Sequence, residues 1–87
     1  MIGARRREGE EPAKRVELDL AGLKCPLPAL RTRKALEQLP SGVRLVVICT
    51  DPMAVIDIPH VAQESGAVLE ERVVDEGRLT FTLRKRD

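Results

Sequence analysis

The chain has 87 residues with 15 Lys/Arg and 14 Asp/Glu, so its formal net charge is only +1. A chain this short forms one small domain, and Phe81 is its single aromatic residue, so the core must be aliphatic. Near-neutral charge and the lack of aromatic stacking platforms argue against direct nucleic-acid binding. No apolar run approaches the ~18 residues of a membrane-spanning helix, and the N-terminus lacks a signal-peptide centre. We expect a cytoplasmic protein without membrane contact.

The cysteine and histidine content restricts the chemistry further. Two cysteines, Cys25 and Cys49, do not make a disulfide framework. Their spacing is not CxxC, and with His60 as the only histidine no Cys/His set suits zinc. We therefore expect reduced thiols, no metal and no cofactor.

The first 15 residues differ in composition from the rest. They hold five Lys/Arg and three Glu, together with Gly and Pro, and have little to bury. This composition predicts a disordered, basic N-terminal extension over residues 1–15. Its Arg5-Arg6-Arg7 run is either a solvated tail or a contact for an acidic partner or RNA. Residues 16–87 are predicted to form the folded domain.

The first strand and helix follow from the spacing of apolar residues. Val16 to Leu20 alternates apolar and polar residues, which predicts a strand with one buried face. A turn over Ala21 to Lys24 leads to a predicted helix from about Pro28 to Leu39. Its buried stripe is expected to contain Ala29, Thr32, Ala35, Leu36 and Leu39. Pro40-Ser41-Gly42 ends this helix.

The next two elements are a buried strand and a second helix. Val43 to Thr50 is apolar on both faces, which predicts a central strand parallel to the first through a helical crossover. Asp51 is expected as the N-cap of a helix from Pro52 to Ser65. Pro59 lies inside this helix and must either kink it or restart it with Asp57 as a fresh cap.

A hairpin completes the predicted fold. Gly66 ends the second helix, Val68 to Val74 forms the third strand, and Arg78 to Arg84 forms the fourth. Asp75-Glu76-Gly77 connects them, with Gly77 supplying a positive φ. The order β-α-β-α-β-β predicts an α/β (α+β) two-layer sandwich. Its mixed four-stranded sheet carries both helices on one face.

Cys25 is the leading candidate for chemistry. It lies between the first strand and the first helix, and Pro26 and Pro28 follow it. The prolines restrict the backbone on both sides of Leu27, and Pro28 suits a first helical turn. Cys25 would lie just outside a helix N-terminus, where the partial positive charge, together with Lys24, favours a thiolate. The prediction is an exposed Cys25 with a lowered pKa.

The sequence around Cys25 restricts the reaction type. A cysteine hydrolase needs a general base, and nothing in the sequence places His60 beside Cys25. A dithiol oxidoreductase needs a resolving cysteine, but Cys49 ends an apolar strand and is expected in the core. A thiol that carries a persulfide needs neither, because the exchange requires only a thiolate. The alternative is a non-catalytic regulatory or RNA-associated binding module.

Several motifs together resemble the TusA (SirA-like) sulfur-carrier family across residues 16 to 85. They are Leu18 to Pro28 with its CPxP motif, Arg33-Lys34, Asp51-Pro52 and Asp57-Ile58-Pro59. The resemblance implies a sulfurtransferase that holds a persulfide on Cys25. A cysteine desulfurase or rhodanese-like protein would load it, and an acceptor protein would take the sulfur.

The resemblance implies tRNA thiolation, molybdenum-cofactor metabolism or other sulfur metabolism as the setting. Leu27 stands between the prolines, where members that act in tRNA thiolation tend to carry an acidic residue. This departure leaves the pathway open, while sulfur carriage remains the expectation. The basic N-terminal extension is not part of the family pattern.

The residues around Cys25 are expected to support it. Lys24 and Arg33, with Lys34, would form a partly basic rim that stabilises a persulfide anion and selects an acidic partner. The alternative for these side chains is ordinary solvated charge. A monomer is the default expectation. The predicted site therefore consists of Cys25 as the catalytic residue, supported by Lys24, Pro26, Pro28 and Arg33.

Overall fold

The computed structural model describes residues 15–86, which contain four strands and two helices. In chain order these are β1 (Arg15–Leu20), α1 (Leu27–Gln38), β2 (Arg44–Cys49), α2 (Ala54–Ser65), β3 (Val68–Asp75) and β4 (Arg78–Arg84). This order confirms the predicted β-α-β-α-β-β arrangement. The predicted disordered extension lies outside the described residues, except for Arg15, which is the first residue of β1.

The sheet has the strand order β1-β2-β4-β3. β1 and β2 are parallel, while β4 is antiparallel to both β2 and β3. The central position of β2 and its parallel pairing with β1 confirm the prediction from the apolar run in β2, and the antiparallel pairing of β3 with β4 confirms the predicted hairpin. Leu20 pairs with Cys49, so β1 and β2 end at the same edge of the sheet. The two loops that follow these strands are therefore neighbours.

One face of the sheet packs against both helices. Alternate residues of the strands point inward, because side chains alternate between the two faces of a sheet. The buried residues of α1 and α2 belong to the same cluster as these inward residues, which confirms the two-layer arrangement. The largest fully buried side chains of the cluster are Phe81, Leu20, Leu36, Leu45, Ile58, Leu83, Val47 and Val61.

Both helices differ slightly from the predicted bounds. α1 begins at Leu27 and ends at Gln38, so Pro28 is its second residue. α2 begins at Ala54 instead of Pro52, because residues 51–53 form a turn in which the Ala54 N–H donates to the Asp51 carbonyl at 2.9 Å. Each helix has 12 residues. Within residues 15–86, no helix combines the length and apolarity needed to cross a membrane.

The predicted restart of α2 at Asp57 is wrong. α2 runs unbroken through Pro59, and Asp57 lies in its first turn and does not cap a new helix. A proline removes only one backbone donor, here the one that would reach the Val55 carbonyl. Ile58 and Val61 on either side are buried in the core, and this packing holds the helix across the missing bond.

A glutamate at a β-bulge in β3 bridges two arginines on the sheet face away from the helices. Arg44 and Arg84 lie directly opposite each other on β2 and β4, a placement that is unfavourable for like charges. The register of β3 shifts between Leu69 and Glu71, so Glu70 is the extra residue. Its carboxylate accepts hydrogen bonds from Arg44 Nε at 2.6 Å and Arg84 Nε at 2.7 Å. These bonds lower the pKa of Glu70.

The hairpin between β3 and β4 has two central residues with positive φ. Gly77 has φ 81°, as its predicted role required, and Glu76 has φ 50°. Two positive φ values at the centre of a two-residue loop define a type I′ turn, which favours Asn-Gly. Glu76 therefore occupies a conformation that suits asparagine better than glutamate.

Replacing Glu76 should consequently stabilise the protein. We expect Glu76→Asn to raise the free energy of unfolding by about 0.5–1 kcal/mol, because asparagine tolerates the left-handed conformation. Thermal unfolding followed by circular dichroism measures this gain. Glu76→Gln is the control, since it removes the same charge without that preference. Equal stabilisation by both variants would contradict the backbone explanation.

Candidate functional site

The loop that carries Cys25 is held by the two residues that follow β2. Because β1 and β2 end together, residues 21–26 lie beside residues 50–53. The Gly22 N–H donates to Thr50 Oγ1 at 2.8 Å, and the Cys25 N–H donates to Asp51 Oδ2 at 2.5 Å. The end of the central strand thus fixes the backbone of Cys25 through side chains located more than 25 residues further along the chain.

Asp51 joins this loop to the start of α2. Its second oxygen, Oδ1, accepts the Met53 N–H at 2.9 Å. The N-cap position itself belongs to Met53, so the prediction of Asp51 as N-cap is wrong by two residues. The hydrogen bond from Met53, then that from Cys25, lowers the pKa of Asp51, and the charge of Lys24 adds to the effect. Asp51 is therefore a negatively charged residue that links the two loops through hydrogen bonds.

The thiol of Cys25 is exposed and points at a second carboxylate. Its Sγ–H donates to Asp57 Oδ2, with 3.3 Å between the sulfur and the oxygen. This hydrogen bond is the main cause that raises the pKa of Cys25, followed by partial desolvation and by the negative charges of Asp57 and Asp51. A carboxylate that accepts a hydrogen bond from a thiol favours the protonated form.

The predicted lowering of the pKa of Cys25 is therefore wrong. The end of α1 contributes only a partial positive charge, whereas Asp57 and Asp51 contribute full negative charges. Lys24 acts on the pKa of Asp51, and it is not among the groups that shift Cys25. The sequence pattern revealed the helix end, but it did not reveal the carboxylate on α2.

The two prolines shape the turn that presents Cys25. Pro26 occupies the N-cap position of α1 and is joined to Cys25 by a cis peptide bond. Its carbonyl accepts the Leu30 N–H at 3.1 Å, while the Leu27 N–H donates to the Lys24 carbonyl at 2.8 Å. Pro28 lies in the first turn of α1, as predicted, and its side chain is buried there. Cys25 consequently lies in a tight turn at the entrance of the helix.

Arg33 and His60 do not contact Cys25. Arg33 Nη2 donates to Glu64 Oε1 at 2.5 Å, and His60 Nε2 lies 3.1 Å from Glu64 Oε2. Both the Arg33 bond and the charge of His60 lower the pKa of Glu64. Arg33 therefore joins α1 to α2 and does not extend the predicted basic rim to the thiol.

Four exposed apolar side chains lie close in the chain to Cys25 or to the two aspartates that contact it, and the sequence patterns did not single them out. Leu27 and Leu30 lie one turn apart on α1, and Met53 and Ile56 lie at the start of α2. They are between 41% and 60% exposed. Met53 shares the Asp51 carboxylate with Cys25, and Ile56 precedes Asp57 in the chain. We call Leu27, Leu30, Met53 and Ile56 the apolar rim. Their signal in the sequence is that they are apolar but fall outside the buried helical stripes.

A groove of about 250 Å³ lies between the Cys25 loop and the residues that follow β2. It is lined by Gly22, Leu23, Lys24, Thr50, Asp51 and Pro52. Within residues 15–86, no group of three His, Cys, Asp or Glu side chains is arranged to hold a metal ion. The Cys25 loop presents one exposed thiol, whose sulfur contacts Asp57 and whose backbone contacts Asp51.

Cys49 is separated from this chemistry. It is fully buried at the end of β2, which confirms its predicted place in the core. Burial, with a smaller contribution from the charge of Asp51, raises the pKa of Cys49 to about 11. Both cysteines are free thiols. Because Cys49 is buried, only Cys25 is accessible to a reaction partner.

This difference predicts selective alkylation. At pH ~8, iodoacetamide should modify Cys25 alone in the native protein, and more slowly than free cysteine, because its raised pKa leaves little thiolate. Intact mass and peptide mapping should show one adduct before denaturation and two afterwards. A native adduct on Cys49, or reaction at Cys25 faster than at free cysteine, would contradict this description of the site.

Comparison with known proteins assigns this arrangement to a family. The family model described as Sulfurtransferase TusA matches residues 16–85. The chain is 44% identical over 69 residues to the sulfur carrier protein TusA of Allochromatium vinosum, covering 79% of this chain and 91% of that protein. It is 37% identical over 70 residues to the sulfur carrier protein TusA of Pseudomonas syringae pv. syringae, covering 80% and 83%. The resemblance in the motifs is thus confirmed, and the chain belongs to the sulfurtransferase TusA family.

Proposed function

We propose that this chain is a sulfur carrier that holds sulfur as a persulfide on Cys25 and transfers it between proteins. The observation that carries the proposal is the exposed thiol of Cys25 at the entrance of α1, within the CPxP motif of a chain whose relatives are named sulfur carriers. Cys49 is buried, and His60 is engaged with Glu64. A lone accessible thiol suits a carrier better than a dithiol oxidoreductase or a cysteine hydrolase.

The proposed relay has a donor and an acceptor. A cysteine desulfurase or a rhodanese-like protein would supply the sulfur in the cytoplasm, and an acceptor protein would receive it. The setting is tRNA thiolation, molybdenum-cofactor metabolism or another branch of sulfur metabolism. Leu27, which stands between the two prolines, leaves the choice among these settings open.

We propose the apolar rim as the surface that contacts these proteins. Sulfur transfer requires the Cys25 sulfur to meet a cysteine of the partner, so the partner must cover the surface around Cys25. Exposed large apolar side chains that cluster together mark protein contacts. Ile56 and Met53 at the start of α2, and Leu27 and Leu30 on α1, are exposed apolar residues of the two helix entrances that the Asp51 and Asp57 contacts bring to Cys25.

The carrier proposal predicts a mass change that depends on Cys25. Incubation with a cysteine desulfurase and cysteine should add the mass of one sulfur atom to the native chain. Cys25→Ser should abolish the gain, since it removes the accepting sulfur. Cys49→Ala should retain the gain, because Cys49 is buried. Absence of any gain in the native chain with several desulfurase and rhodanese donors would overturn the proposal.

The apolar-rim proposal predicts a defect specific to protein donors. Ile56→Asp should slow loading from a desulfurase about tenfold, the effect of losing one contact of moderate importance at an interface. Loading from a small persulfide should not change, since a small donor does not need the rim. Val74→Asp is the matched control, because Val74 and Ile56 are each 60% exposed and Val74 lies on β3.

Equal slowing by the two aspartate variants would show a general effect of charge and would contradict a contact at the rim. Circular dichroism of both variants checks that the fold is retained. A slower reaction of Ile56→Asp with the small persulfide would instead place Ile56 in the chemistry of the thiol.

A further inference from the structure

We propose that Asp57 is the acid–base partner of Cys25, accepting the thiol proton when sulfur is loaded and returning it when the donor's cysteine leaves. This inference rests on the proposed carrier function. The supporting contact is direct, since 3.3 Å separates Cys25 Sγ from Asp57 Oδ2. A proton-accepting group must lie within hydrogen-bond reach of the proton that it removes, and the larger radius of sulfur lengthens that distance.

The placement of Asp57 follows from the fold. α2 packs against α1, and the first turn of α2 brings the half-buried Asp57 to the entrance of α1. A carboxylate in the first turn of a helix interacts favourably with the helix end. The contact thus joins residues 32 positions apart, and no local pattern in the sequence indicates it, since Asp57 was expected to be a cap.

The charged groups around the thiol give a nearby proton acceptor a role, because they keep Cys25 protonated at rest. Asp57 faces Cys25 from α2, Asp51 from the loop after β2, and Lys24 adjoins it in the chain. The two carboxylates raise the pKa of Cys25, so the resting thiol keeps its proton at neutral pH. Attack on a persulfide needs the thiolate. The proton must therefore leave before or as the new bond forms, and Asp57 is the group that accepts the hydrogen bond of the thiol.

The Cys25 thiol and a donor persulfide react in a balanced step. Cys25 Sγ attacks the outer sulfur of the donor persulfide, and an S–S bond forms at Cys25 as the donor's S–S bond breaks. The electron pair of the broken bond goes to the donor's cysteine sulfur. The proton of Cys25 passes to Asp57 Oδ2 and then to that leaving thiolate. A thiol and a persulfide thus become a persulfide and a thiol, and no external oxidant or reductant is consumed.

Asp51 is unsuited to this role, although it is also close to Cys25. Both of its oxygens accept backbone N–H groups, from Cys25 and from Met53. These bonds lower its pKa, which makes it a weaker proton acceptor. Its contact with Cys25 is made through the backbone and not through the sulfur. Asp51 therefore holds the loop, and Asp57 receives the proton.

The test compares two properties of Asp57→Asn in the full chain. The pH profile of Cys25 alkylation should shift to lower pH, because the variant loses the group that most raises the thiol pKa. Loading from glutathione persulfide at neutral pH should nevertheless fall about 10- to 100-fold, toward the lower range of effects from a positioned base. Above the pKa of Cys25 the two loading rates should converge, since a preformed thiolate needs no base.

Two further variants complete the experiment. Asp57→Glu keeps a carboxylate and should restore part of the loading rate. Asp75→Asn makes the same chemical change at the β3–β4 hairpin and should leave both properties unchanged. If Asp57 had only a structural role, the loading rate of Asp57→Asn would remain below that of the native chain at high pH as well.

The outcomes separate the two proposals. If Asp57→Asn loads at neutral pH as fast as the native chain or faster, the proposed role of Asp57 is overturned. Its charge would then only lower the reactivity of Cys25, and the carrier function would stand. Failure of the native chain to load from any persulfide would overturn the carrier function. The alkylation profile would still report the Asp57–Cys25 contact in that case, because alkylation involves no sulfur transfer.

Discussion

The hydrogen bond from the Cys25 backbone to the Asp51 carboxylate is the constraint on which the site depends. It exists because β1 and β2 are parallel and end in register, with Leu20 opposite Cys49. The loops that follow parallel strands meet at one edge of the sheet. Since Asp51 also binds the turn before α2, the same carboxylate fixes Cys25 relative to that helix. The contact between the thiol and Asp57 follows from this linkage.

The pKa of Cys25 is raised, whereas a cysteine at a helix entrance is expected to have a lowered pKa. A helix end acts as roughly half of a positive charge and its effect is limited to the first turn. The thiol of Cys25 instead meets a direct hydrogen bond to Asp57, and Asp51 adds a second negative charge. The raised pKa keeps Cys25 protonated at rest. A protonated thiol reacts slowly with stray electrophiles.

The fold was predictable because its signals are local. The apolar run of β2, the alternation in β4 and the turn at Gly77 each reveal one element, and the crossover rule then sets the direction of β2. The position of Asp51 beside Cys25 also follows from that rule, since both residues come after parallel strands. The Asp57 contact does not follow from any local pattern, because it depends on how α2 docks against α1. The wrong pKa direction for Cys25 has the same origin.

The two carboxylates at Cys25 are chemically alike but not interchangeable. Asp51 is surrounded by backbone donors, and these stabilise its charge and tie it to a fixed position. The Asp57 oxygen near the thiol faces a proton that can move. A protein with one histidine, which is engaged with Glu64, has no imidazole to offer to its cysteine. Asp51 binds the backbone of Cys25 and holds the loop in place. Asp57 binds the sulfur and can accept the thiol proton in the proposed step.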